Sequence, residues 1–198
     1  MVKLIDVIGA TDKLVIIVMR WLSLLGNHFS GLNASPIVKS SLVAQFLASI
    51  QFIHNHGFAH LDLKPGNILL NHVDGLAPRL SIIDFGISVR VQDENTTVTG
   101  FRGTPYWTAP EVGTEHGPKM TYSAIRADLW SCGRMLEHFG SKDSIRDKLL
   151  DPDPSRQPSL DAVFHILSMH SNGTKRGHGN DGGAFWRRRH AMPNRKDL

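Results

Sequence analysis

In the stretch HLDLKPGNILL, residues 60–70, a carboxylate (Asp62), an ammonium group (Lys64) and an amide (Asn67) fall within six residues, directly ahead of an apolar run. Two further clusters follow: Asp84-Phe85-Gly86 at the end of the apolar run LSIID, and GTPYWTAPE at 103–111. Taken singly, each reads more readily as a capped turn or as a strand ending in a turn. Their order and spacing say more. If the chain returns as a hairpin after Asn67, then Asn67 and Asp84 reach adjacent strand ends. An amide facing a carboxylate makes a hard-oxygen site suited to Mg2+, which takes one or two protein oxygens plus substrate phosphates. Asp62, on the same loop, could accept a hydroxyl proton, and Lys64 could offset the negative charge of a transferring phosphoryl group.

These residues need elements to place them. MVKLIDV (1–7) alternates as a strand does, and KLVIIVM (13–19) is a continuous β-branched run; GATD between them reads as a turn, which predicts a hairpin. Ser35-Pro36 supplies a cap and a first-turn proline, and Val43, Phe46, Leu47, Ile50 and Ile53 recur at helical spacing, so a helix is predicted over 35–56, ended by Gly57. NILL (67–70) and LSIID (80–84) read as short strands, with Val73-Asp74-Gly75 a plausible hairpin turn between them. Residues 87–120 read as irregular, a second apolar helix is predicted from about Tyr122 to Phe139, DPDPSRQP (151–158) as a turn, and SLDAVFHILSMH as a Ser-capped helix.

The chain has 198 residues, 41% of them hydrophobic and 20% charged, which predicts one packed domain with a tail rather than disorder. A single cysteine, Cys132, excludes a disulfide framework within the chain and points to a reducing compartment. The run LVIIVM (14–19) is too short to span a membrane, and Asp6 and Asp12 interrupt any signal-peptide core. A soluble intracellular protein, cytoplasmic or nuclear, with no membrane span, is the expectation. The net charge of +4 is uneven: residues 172–198 hold seven basic and two acidic side chains, net +5, leaving −1 elsewhere. The tail reads first as a solvated disordered end, and second as a contact for nucleic acid or acidic lipid.

With all three clusters in register, the sequence resembles the eukaryotic protein kinase family. HLDLKPGN is similar to its catalytic loop, DFG to its metal-binding motif, and APE to the close of its activation segment. DLWSCG (128–133) resembles its buried central helix, and LLDPDPSRQPSL (149–160) a late motif. The resemblance covers about residues 2–168. It implies an α+β fold: a mainly helical kinase C-terminal lobe over 31–170, a remnant β-hairpin of the N-terminal lobe with the hinge over 1–30, and a basic, disordered tail over 171–198. It implies a protein serine/threonine kinase that uses ATP and Mg2+ to phosphorylate protein hydroxyls, Lys64 with Thr104 in the substrate-facing loop resembling the serine/threonine class. By the same resemblance Asp62 would orient and deprotonate the substrate hydroxyl, Lys64 would contact the γ-phosphate, and Asn67 and Asp84 would hold magnesium. Leu69 would lie under the adenine, and Met19 to Trp21 would form the hinge beside it, with Val18 at the entrance to a back pocket. His60 and Phe85 would stack in a hydrophobic spine, Asp128 would bond the catalytic-loop backbone, and Arg156 would pair with Glu111.

The family pattern is not met throughout. The sequence begins at what resembles the fourth strand of the upper sheet, so the glycine-rich loop, strand lysine and helix glutamate that hold ATP from above are not matched. GHGNDG (177–182) fits a glycine-rich spacing but follows no strand. A truncated kinase would transfer phosphate poorly unaided; the alternative is a pseudokinase acting as a binding or scaffolding module, with a partner covering the exposed hairpin. GSKDSIRDK, after Phe139, is too short for the family's usual substrate-docking element. Leu61 stands where many kinases carry an arginine that pairs with activation-segment phosphate, so phosphorylation of Thr96, Thr97 or Thr99 would lack that partner.

Overall fold

The structure is a computed structural model and describes residues 4–11, 14–19, 23–25, 35–71 and 78–173. Among these described residues are nine strands and four α-helices, with six of the strands between the first helix and the second. β1 (Leu4–Thr11) and β2 (Leu14–Met19) form an antiparallel hairpin in which Val7 faces Ile17 and Ile8 faces Ile16. β1 runs past the expected turn, which closes between Thr11 and Leu14 instead.

β3 (Ser23–Leu24), β5 (Ile68–Asn71) and β6 (Arg79–Ile82) form an antiparallel sheet with β5 central. The expected hairpin after Asn67 is present, with Ile68 opposite Ile82; its turn, 72–77, lies outside the described residues. α1 (Pro36–Asn55) begins at Ser35, whose hydroxyl accepts from the Val38 N–H, and buries Leu42, Phe46, Leu47, Ile50 and Ile53. Its length and composition would suit a membrane span, but it packs on β6. There the Gln45 side chain donates to the Pro78 carbonyl (3.1 Å) and accepts from the Leu80 N–H (3.0 Å). Gly57 follows at φ 78°, a left-handed exit that glycine makes at little cost.

The stretch after β6 is more ordered than its composition suggests. β4 (Phe58–Ala59) pairs with β7 (Val89–Arg90), β8 (Thr97–Thr99) pairs with β9 (Thr121–Ser123), and Pro110–Val112 form a 3-10 turn. α2 (Ala124–His138) starts at Ser123, whose hydroxyl accepts from the Arg126 N–H. It buries Asp128, Leu129, Cys132, Met135 and Leu136. Burial pushes the Cys132 thiol pKa well above its ordinary value, and the nearby Asp128 adds to the shift. α3 (Ser144–Leu149) lies in the segment read as too short for the family's usual substrate-docking element: Asp143 caps it through the Ile145 and Arg146 N–H groups, and Ile145 and Leu149, one turn apart, are buried. A Cβ on Gly133 would sit 2.8 Å from Leu150 Cγ, so glycine there sets how closely α2 and the end of α3 approach.

The chain divides into compact units Met1–Pro158 and Ser159–Leu198. In the second, α4 (Leu160–Gly173) is capped by Ser159, whose hydroxyl accepts from the Ala162 N–H. The basic stretch beyond Gly173 lies outside the described residues.

Candidate active site

The loop that follows β4 is held by one buried carboxylate. Asp128 of α2 is fully buried; it accepts the N–H of His60 on Oδ2 and the N–H of Leu61 on Oδ1, both at 2.7 Å, and His54 Nε2 of α1 lies 2.9 Å from Oδ2. These bonds force Leu61 to φ 66°, a left-handed conformation that costs a branched side chain about 1–2 kcal/mol. Leu61 tolerates it because its side chain is buried with Ala59, Val91, Ala109, Val112, Tyr122, Ala124 and Ala127. Two charge-assisted bonds and an apolar socket outweigh one strained residue.

The reversal aims Asp62 outward into a polar cluster. Its Oδ1 accepts from the Thr104 hydroxyl at 2.7 Å; its Oδ2 accepts from Lys64 Nζ at 2.8 Å and from Asn67 Nδ2 at 2.9 Å. Asn67 Nδ2 also reaches the Asp62 carbonyl at 2.8 Å, and Lys64 Nζ donates to Thr104 Oγ1 at 2.6 Å. Partial burial pushes the Asp62 pKa up, but the bonds from Lys64, Thr104 and Asn67 outweigh it and hold the carboxyl below its ordinary range. Asp62 is thus a carboxylate at neutral pH, fixed on both oxygens.

Asp84 sits just past the end of β6. The Ile83 N–H donates to the Asn67 carbonyl at 3.0 Å, which brings Asn67 and Asp84 to neighbouring chain segments. Asp84 has φ 66°, is exposed, and accepts a long bond (3.4 Å) from the Gly86 N–H. Both side-chain amide bonds of Asn67 go to Asp62, which leaves the Asn67 side-chain oxygen and the solvent-facing Asp84 carboxylate as hard oxygens on neighbouring chain segments. That pair of hard oxygens fits Mg2+ completed by phosphate oxygens and water. His60 Nε2 lies 3.0 Å from the Ile83 carbonyl, and the rings of His60 and Phe85 are 4.8 Å apart, Phe85 being 48% exposed. Leu69 is buried on β5.

The third cluster approaches the same loop. Gly103, at φ 112°, packs so closely that a Cβ would lie 2.6 Å from the Leu61 carbonyl oxygen and from Thr108 Cγ2. The Trp107 N–H bonds the Thr104 carbonyl at 3.1 Å, closing a turn with Pro105 and Tyr106 at its centre; Tyr106 has φ 71°. Leu61, Asp84 and Tyr106 are the non-glycine residues with positive φ among those described, one in each of the three clusters that sequence alone singled out. Strained backbone concentrates where geometry matters more than stability.

Some expectations fail or fall elsewhere. Arg156 does not meet Glu111. The 3-10 turn Pro154–Arg156, capped by Asp153, turns Arg156 outward, and its Nε lies 3.2 Å from Asp151 with the side chain 72% exposed. Glu111 is left with both carboxylate oxygens buried and, beyond its own backbone N–H, no donor among the described residues. Burial accordingly raises its pKa. Met19 ends β2, while Trp21 lies outside the described residues. Sequence reading missed His54, Ser131 and Arg134, polar positions on helices whose only signal was a break in an apolar pattern.

Comparison with known proteins agrees with this geometry. The family model of the protein kinase domain matches residues 1–165. The chain therefore belongs to the protein kinase family. It is 38% identical over 122 residues to the probable serine/threonine-protein kinase KKQ8 of Candida glabrata, covering 57% of this chain and 15% of that protein. It is 40% identical over 92 residues to the serine/threonine-protein kinase STE20 of Debaryomyces hansenii (46% of this chain, 8% of that one). It is 39% identical over 94 residues to the CBL-interacting serine/threonine-protein kinase 18 of Arabidopsis thaliana (46% and 16%). The chain thus spans a small part of the length of the curated relatives it matches.

Proposed function

We propose that this chain is the phosphate-transferring segment of an intracellular protein serine/threonine kinase, and that residues 31–170 form its C-terminal lobe while 1–30 carry upper-lobe strands and the hinge. The observation that supports it best is the Asp62 carboxylate, bonded by Lys64, Asn67 and Thr104 on a loop that Asp128 holds from behind. In this reading Asp62 orients a Ser or Thr hydroxyl and takes its proton as the oxygen bonds to the γ-phosphorus of ATP and the bond from that phosphorus to the bridging oxygen breaks, releasing ADP. Lys64, already at hydrogen-bond distance from both Asp62 and Thr104, places positive charge beside the transferring group. Asn67 and Asp84 would hold Mg2+, which when bound neutralises the phosphate oxygens of ATP. Leu69 would underlie the adenine, with Met19 to Trp21 beside it.

The test is phosphate transfer from Mg2+–ATP to a Ser/Thr peptide by the longest translation product that contains these residues. Asp62→Asn should lower kcat by at least about 100-fold, the lower range for a positioned general base. An unchanged rate would sink the catalytic assignment. The 198 residues alone match no glycine-rich loop or strand lysine, so for them we expect little rise of the unfolding midpoint with Mg2+–ATP. A large rise that vanishes in Asp84→Ala would count against this expectation.

A further inference from the structure

The turn Thr104–Trp107 has an unusual occupant. Proline at its second position and φ 71° at its third describe a type II turn, whose third position is ordinarily glycine or asparagine. Here it is Tyr106, and its ring is 88% exposed, so burial of the side chain does not compensate the strain. The compensation comes from anchors at both ends. At one end Thr104 Oγ1 bonds Asp62 and Lys64. At the other, two residues one turn apart on α2 donate to successive carbonyls: Ser131 Oγ to Trp107 at 2.8 Å and Arg134 Nε to Tyr106 at 3.2 Å. Arg134 is in turn braced by an ion pair with Glu137. Ser131 is buried and also bonds the Ala127 carbonyl within its own helix. Arg134 is partly exposed and bridges the two elements, its Nε bonding the turn and its Nη1 bonding Glu137 within the helix.

We infer that Arg134 is a positioning residue for the peptide substrate: by holding the Tyr106 carbonyl it fixes a turn that carries an exposed aromatic residue two positions from Thr104, whose hydroxyl bonds the Asp62 carboxylate, and a peptide that brings its hydroxyl to that carboxylate meets this turn. The inference rests on the kinase reading for the nature of the ligand, but not for the anchoring itself. Arg134 touches neither the hydroxyl nor phosphate, so its loss changes peptide capture and leaves the chemical step alone.

Two measurements separate the anchoring from the function. In the 198-residue chain, native-state chymotryptic cleavage at Tyr106–Trp107 should run about five-fold faster in Arg134→Ala, the loss expected for one hydrogen bond of this kind. The thermal midpoint should fall by no more than about 4 °C, and Arg134→Lys, which keeps a donor, should recover most of the protection. In the longest active product, Arg134→Ala should raise the peptide KM about five-fold with kcat and the ATP KM held within about two-fold. Unchanged cleavage would overturn the anchoring. Faster cleavage with an unchanged peptide KM would overturn the substrate role. Absence of transfer by the wild-type product would sink the kinase reading and the substrate role with it, while the cleavage rates still decide the anchoring. If Arg134→Ala unfolds, Arg134→Gln, closer in volume and bonding capacity, answers the same questions.

Discussion

Glu111 is a carboxylate whose two oxygens are buried without a partner from another residue among those described. Burial raises its pKa in the folded chain above the unfolded value, so the folded state binds more protons between the two. Stability therefore falls as pH rises through that window, the reverse of a salt-bridged acid. Glu111→Gln removes the charge and keeps the shape. It should raise the unfolding midpoint at pH 8 by roughly 2–4 °C for each kcal/mol recovered, and flatten the pH dependence above pH 5. A fall in the midpoint at pH 8 would show that Glu111 has a cationic partner after all. Asp62 runs the other way: its pKa is held down, so its contribution is present at neutral pH and lost as pH falls through the lowered value. Two carboxylates in the same unit thus pull stability in opposite directions with pH, and the difference is hydrogen-bond donors.

Among the elements, α2 does the positioning. It offers Asp128 to the loop at 60–61, Ser131 and Arg134 to the turn at 104–107, and Arg126 to Glu94 (2.7 Å) and to the Gln157 carbonyl (2.6 Å). Asp128→Asn keeps one acceptor oxygen and loses the charge. It should cost about 1.5–3 kcal/mol in urea unfolding, the range for hydrogen bonds to a charged group. Loss below about 0.5 kcal/mol would mean that the loop is held chiefly by the Leu61 socket. α1 could be read in advance because its apolar residues repeat at helical spacing behind a cap, and the β1–β2 hairpin and the β5–β6 return because short apolar runs are separated by turn residues. α3 could not: it has one buried pair, and its stability comes from burial of Ile145 and Leu149 rather than from a long stripe. β7 and β8, two and three residues long, are strands only because β4 and β9 lie beside them. At the site, Asp62, Lys64 and Asn67 were legible as a cluster because they are local. The direction of Arg156 was not, because a 3-10 turn decides it.

For the whole molecule, the hairpin sets the physical behaviour. Among the described residues β1 and β2 form a two-stranded sheet, and both strands are largely apolar in sequence. Two strands alone are marginal in water, and long apolar edges invite pairing with another chain. The 198-residue chain should therefore self-associate at high concentration, and Ile16→Lys, a charge in the middle of β2, should reduce it in light scattering. A monodisperse wild-type monomer would show that the hairpin is already covered. Cys132 offers a different kind of access. It is the single thiol of the chain, completely buried on α2, and burial pushes its pKa well above the ordinary range. While α2 stays packed, a thiol reagent finds nothing to attack; each labelling event must wait for the helix to come away. The molecule thus carries its own stopwatch. The rate at which Cys132 is alkylated counts how often the element that holds the loop at 60–61 lets go.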